Sequence, residues 1–293
     1  MAKLNKRAKY NRISLFDIVL SLIMIAFMAT IILPFVHVIA VSLSDAVMVM
    51  GNQVSFWPKG FTLYTYKTML STGDFMRAYG VTIFITVVGT FLALLITASC
   101  AYALSRRTMV GHTFFSLMIT ITLFFAGGMI PNYINIMNLG MIDTVWSLII
   151  PTCLSTWNMI IMRSFFISYP SEIIESGMID GLQDAGVFFR LVLPTSKAAI
   201  ATIGLYYAVG YWNAYMNAKM YIQTNIHLRP VQMLLQDMIA NVTQENVSGE
   251  EGAMVAASVR YAAIMIVITP IMCVYPFIQK YFVKGVMVGS VKG

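Results

Sequence analysis

Between Pro170 and Pro194 four carboxylates, Glu172, Glu175, Asp180 and Asp184, stand in a stretch (171–189) that holds no Lys or Arg. Pro170 and Ser171 make a helix start. On that helix Ile174, Met178 and Leu182 recur every fourth residue and form an apolar stripe, with the acidic side chains elsewhere around the barrel. Gly181 interrupts the helix, and a second short turn carrying Phe188 and Leu191 runs to Pro194, which re-aims the chain. An amphipathic helix resting on lipid headgroups favours Lys and Arg on its polar face. Acidic residues near anionic lipid are unfavourable, so the pattern predicts docking into a partner protein instead.

A second group is suited to a polar, hydroxylated ligand. Tyr206, Tyr207, Tyr211, Trp212, Asn213, Tyr215 and Asn217 crowd one apolar window. Sugars are held by aromatic faces together with amides and hydroxyls. Tyr206, Trp212 and Asn213 are expected to share a helix face, with Asn132 and Asn158 adding amides from two earlier windows. Packing or an interfacial aromatic belt is the competing reading for the tyrosines and Trp212.

Neither group is catalytic. The chain has no G-x-x-x-x-G-K-[ST] phosphate loop, no H-E-x-x-H and no G-x-S-x-G. Its three cysteines, Cys100, Cys153 and Cys273, sit in apolar stretches at unrelated spacings and read as small buried residues, neither a metal site nor a disulfide framework.

Composition says what must position these groups. Of 293 residues, 59% are hydrophobic and 11% charged. Soluble domains hold roughly 45–50% and about 25%. A soluble enzyme, a disordered chain and a secreted disulfide domain are excluded, leaving an integral membrane protein. Six windows free of Asp, Glu, Lys and Arg are each long enough for a span, since a helix needs about 20 apolar residues to cross. The expected fold is all-α, with transmembrane helices near 15–40, 79–104, 113–136, 145–166, 198–219 and 260–282.

The net charge of +7 calls for topology rather than nucleic acid. With the basic segment 1–14 in the cytoplasm, 13 of the 19 Lys and Arg fall on the inner side, so both termini are expected there. The first window is too long for a signal-peptide core. His37 is expected to be interfacial and structural, and Arg163 to be a snorkelling residue at an inner helix end. External segments near 42–78 and 220–259 follow, the latter with an apolar stripe at Val231, Leu234, Leu235 and Met238 and an acidic run Glu245–Glu251. The windows leave mid-membrane without formal charge, whereas ion-coupled transport ordinarily places Asp, Glu, Lys or His there.

The segment 169–194 resembles the cytoplasmic signature of ABC-importer permeases, E-A-A-x-x-x-G with an extended F-x-x-[IL]-x-L-P ending. Glu175 stands at the Glu and Asp180-Gly181 at the Asp-Gly. Phe188, Leu191, Leu193 and Pro194 match the ending, while Ser176 and Gly177 replace the two alanines and Leu182 a later one. Pro131-Asn132-Tyr133 and Trp212-Asn213-Ala214-Tyr215 are similar to the MalG-type carbohydrate permeases, and Gly127–Pro131 and Asn138–Met141 resemble permeases for complex or acidic oligosaccharides.

The resemblance implies a single permease domain, 15–293, in a bacterial plasma membrane. It also implies a second MalF-like permease, two ABC ATPases that carry the ATP and Mg, an external solute-binding protein and an oligosaccharide substrate. This chain would bind no cofactor or metal itself. The element 171–191 would couple to an ATPase through Glu172, Glu175, Gly177, Asp180, Gly181, Asp184 and Phe188, with Pro194 closing it. An ion-coupled secondary transporter and a non-transporting membrane scaffold are the alternatives. Neither accounts for an acidic partner-like helix.

Overall fold

The computed structural model describes residues 15–71, 73–244 and 258–276. The basic start 1–14, the acidic run Glu245–Glu251 and the end of the sixth expected span, 277–282, lie outside them. The described residues are helical, with no strand among them. They run α1 Leu15–Ser42, α2 Ala46–Met50, α3 Tyr64–Ser71, α4 Gly73–Ser105, α5 His112–Phe124 and α6 Met129–Asn138. Next come α7 Trp146–Ile149, α8 Thr156–Ile167, α9 Ser171–Ile179, α10 Asp184–Val187, α11 Leu193–Thr195 and α12 Lys197–Trp212. The last three are α13 Met216–Tyr221, α14 Val231–Gln244 and α15 Ser258–Pro276.

Three helices are continuous and apolar enough to cross a membrane: α1, α4 and α15. The windows expected near 113–136, 145–166 and 198–219 are helical but broken, the first two at glycine or proline. α5 and α6 meet at 118° across Phe125–Gly128, where Gly128 takes a φ of +87° and Pro131 follows in the first turn of α6. The fourth window breaks at Pro151: a 3-10 turn, Ile150–Thr152, separates α7 from α8, and the Ser155 hydroxyl caps α8 by accepting from the Asn158 N–H. The fifth stops at Trp212 and resumes at Met216.

The chain divides into two compact units. In the first, 1–69 with 242–265, α1 is apolar all round and exposed except at its last turn, where Ala40 and Val41 pack with Val54 and Tyr261. His37 donates from Nδ1 to the Ser55 carbonyl (2.7 Å) and lies edge-on to Tyr261, holding the loop around Ser55. The second unit, 70–241 with 266–293, holds the main core, built on α4 with α8 and α12 packed along it. Small residues permit the close approach: a methyl group on Gly204 would stand 3.1 Å from Leu94. Arg163 does not snorkel freely. Its Nε donates to the Leu104 carbonyl (2.8 Å), and His112 reaches the same oxygen (3.1 Å), so two basic side chains cap the end of α4.

Candidate functional site

The acidic element is a compact hairpin of short helices. α9 ends at Asp180, and Gly181 adopts a φ of +85° that turns the chain, its amide bonding back to Met178. Asp184–Val187 restarts the helix and Phe188–Val192 forms one wide π turn. Leu193–Thr195 then leads to a bend of 83° into α12. That bend falls at Ser196, two residues beyond Pro194.

The expected apolar stripe is only partly realised. Ile174 is buried, but Met178 is 39% exposed, and Leu182 lies beyond the helix end. The buried edge is Ile174 with Gly177, three residues on. A methyl carbon on Gly177 would stand 2.5 Å from Leu191 Cδ1, so the absent side chain is what seats α9 against the returning turn. Phe188 is buried among Tyr102 and Phe166 and anchors the hairpin to the core. Glu172, Glu175, Asp180 and Asp184 remain exposed, and none bonds or ion-pairs with another described residue. Ile173 and Ile179 are also exposed, Ile179 at 86%. The hairpin therefore presents carboxylates and aliphatic tips outward together.

At the far side of α12 a cleft of about 340 Å³ opens between the broken fourth window and the end of α12. Asn158, Tyr206, Tyr211 and Asn213 line it, as do Tyr215 and Asn217. Asn158 is 7% exposed, and its side-chain amide has no partner among the described residues. Asn213 is held by Val209 and by the Gln232 amide, and Tyr215 accepts from Lys219 Nζ (2.9 Å).

Two expected ligand residues lie elsewhere. Trp212 donates from Nε1 to the Val267 carbonyl (3.3 Å) and packs edge-on to Tyr79. Residues six apart on a helix sit about 120° apart, whereas residues seven apart nearly superimpose. Tyr206 and Asn213 therefore share a face and Trp212 does not. Asn132 is exposed in the first turn of α6, away from the cleft.

Tyr207 and Tyr211, from the aromatic group in this window, line the cleft and hold its wall. Breaking a span strands backbone groups that lipid cannot satisfy. The Tyr211 hydroxyl donates to the Ile149 carbonyl (3.0 Å) at one side of the break, and the Tyr207 hydroxyl accepts the Ser155 N–H (2.9 Å) at the other. Thr97 on α4 completes the Tyr207 pairing (2.7 Å). Pro151 signals the break, but nothing in the sequence spacing pairs it with these hydroxyls. Outside the cleft, Asp143, at φ +57°, accepts the N–H groups of Gln223, Thr224 and Asn225 and the Thr224 hydroxyl. The Thr224 hydroxyl bond, with the backbone donors behind it, holds this carboxyl below the usual aspartate range.

No family model matches the chain. It is 38% identical over 285 residues to the polygalacturonan/rhamnogalacturonan transport system permease protein YtcP of Bacillus subtilis (strain 168), covering 95% of this chain and 99% of that one. It is 41% identical over 265 residues to the protein LplC of the same organism, 89% of this chain and 90% of the other. Among solved structures it matches a chain of a bacterial ABC transporter involved in the import of the acidic polysaccharide alginate, with a TM-score of 0.84 at 30% identity, covering 91% and 96% of the two chains. As a subunit of this kind it is a multi-pass membrane protein and not itself an enzyme. With this identity and coverage over an all-helical fold of the same kind, the chain belongs to the permeases of carbohydrate ABC transporters.

Proposed function

We propose that this chain is one of two permeases in an ATP-driven, binding-protein-dependent importer of acidic oligosaccharides. It crosses the bacterial plasma membrane six times, with both termini in the cytoplasm. The observation that carries this reading is continuity: the exposed acidic hairpin and the tyrosine-bearing wall of the cleft are one run of chain, joined at the 83° bend. Glu172, Glu175 and Asp180 offer unpaired carboxylates to basic or backbone donors of an ABC ATPase, a helix-in-groove contact. Gly177 and Gly181 give the hairpin its shape, Phe188 ties it to α4 and α8, and Pro194 leads into the bend. ATP and Mg belong to the two ATPase subunits, and the substrate arrives on an external solute-binding protein.

Nucleotide and loaded binding protein move such a machine only through their differential affinity for its inward- and outward-facing states. The cleft suits a hydroxylated ligand: the buried Asn158 amide is left open to it, and Tyr206 and Asn213 stand on the same side. The relatives named above point to uronic-acid polymers as the substrate class.

The test is retention of an ABC ATPase by the tagged chain expressed with its partner permease, for the native chain, Asp180→Lys and Gly181→Trp, together with uptake of labelled oligogalacturonides. The native chain is expected to retain the ATPase and support uptake, and both variants to lose both while still inserting into the membrane. Normal retention and uptake by both variants would refute the coupling role.

A further inference from the structure

A cavity of about 490 Å³ lies between the last turns of α4, the following 106–110 loop and Asp184–Phe189. Three features converge on it. Tyr102 is 7% exposed, and its hydroxyl has no hydrogen-bond partner. A buried phenol left unpaired loses its solvation with nothing in return, so a partner is expected there. Arg106 lines the same cavity, and its guanidinium bonds to no described residue. The basic side chains that do cap α4 are Arg163 and His112, which leaves Arg106 uncommitted. Asp184 lies on the opposite wall, and although the two charges share one space they form no ion pair.

A space holding an unpaired cation, an unpaired anion and an unpaired hydroxyl fits a ligand that brings both charges. We propose that the cavity binds a phosphate–ammonium zwitterion, the headgroup of phosphatidylethanolamine. The phosphate is taken by the Arg106 fork and the Tyr102 hydroxyl, and the ammonium by the Asp184 carboxylate. The position favours a lipid over a soluble compound. The cavity lies at the end of α4, a helix long and apolar enough to cross a membrane, and Val110 (93% exposed) and Phe189 (53% exposed) on its lining offer apolar surface for the glycerol and upper acyl chains. The site takes Asp184 out of the coupling set that the resemblance implies, and otherwise needs only that α4 spans the membrane.

The experiment is native mass spectrometry of the purified full chain released from vesicles of phosphatidylethanolamine and phosphatidylglycerol in equal amounts. The same measurement is made on Arg106→Gln, Asp184→Asn and Tyr102→Phe, and with free phosphoethanolamine added as competitor. The native chain is expected to retain phosphatidylethanolamine preferentially. Asp184→Asn is expected to lose the preference for it over phosphatidylglycerol, and Arg106→Gln to lose about ten-fold in retention of both lipids. Tyr102→Phe keeps the packed ring and removes only a hydroxyl without a protein partner. Its thermal stability without lipid should therefore equal that of the native chain while its lipid retention falls. Displacement by free phosphoethanolamine at comparable concentration would assign the site to a soluble zwitterion and overturn the lipid assignment. Equal retention of the two lipids by the native chain, or native-like retention by all three variants, would overturn the site itself. So would loss of ATPase retention in these variants without any lipid effect, which would make the occupant a protein side chain.

Discussion

The closest steric constraint on the cleft is one glycine. Gly89 on α4 faces the Tyr211 ring, and a methyl carbon there would come within 2.7–2.8 Å of three ring atoms, against the 3.4–4 Å of an ordinary contact. The ring has little room to yield, because it is 4% exposed and its hydroxyl is tied to the Ile149 carbonyl at 3.0 Å. Overpacking of this kind costs about 1–3 kcal/mol. Replacing a helical glycine by alanine returns up to about 1 kcal/mol through backbone entropy. Gly89→Ala is therefore expected to destabilise by about 2 kcal/mol, since a pinned aromatic ring puts the clash at the upper end of its range. The assay is a double-mutant cycle on the purified chain, read as unfolding free energy in detergent, with Tyr211→Leu as the second substitution. In that background the ring is gone, and Gly89→Ala should become neutral or mildly stabilising. A coupling energy within about 0.5 kcal/mol of zero would refute the reasoning, because distant independent sites add to that accuracy.

Tyr207→Phe keeps the ring but strands the Ser155 N–H at the break in the fourth window, so unfolding stability should fall by about 1–3 kcal/mol. Thr97→Val should cost less, since it leaves that backbone bond in place. The Asp143 carboxyl titrates below its ordinary value of 3.8, so its contribution is fully present above that pH and is lost as pH falls through the lower folded-state value. Melting curves taken over that acid range should show the loss in the native chain and a flatter profile in Asp143→Asn.

Membrane residence and the acidic hairpin were legible because each rests on a local signal. Charge-free windows follow directly from the cost of burying charge in hydrocarbon. The hairpin follows from Gly181 and from the absence of basic residues between 171 and 189. What the windows did not disclose is that three of them are interrupted. Apolar length alone is blind to a break, although Gly127-Gly128 and Pro151 marked two of the three places. The assignment of Trp212 to the cleft failed on helical phase, an error that the 100° step per residue corrects. Tyr211 was legible as a cleft residue, but the bonding of the Tyr207 and Tyr211 hydroxyls was not, because their partners lie dozens of residues away. Gly89 was equally silent, since its importance exists only where the Tyr211 ring meets it.

The bend at Ser196 also sets a gear ratio. α12 holds 16 residues, an arm of about 24 Å at 1.5 Å per residue. If the hairpin is rocked so that this arm swings by about 10°, its free end travels about 4 Å and the level of Tyr207 a little under 3 Å. That smaller displacement is already the length of a hydrogen bond, so the bonds from Tyr207 and Tyr211 to the broken window cannot survive the swing unless α7 and α8 move with it. In the proposed transport cycle the two tyrosine hydroxyls would act as a clutch: engaged, they would transmit a swing of α12 to the opposite wall of the cleft, and released, they would let one wall slip past the other.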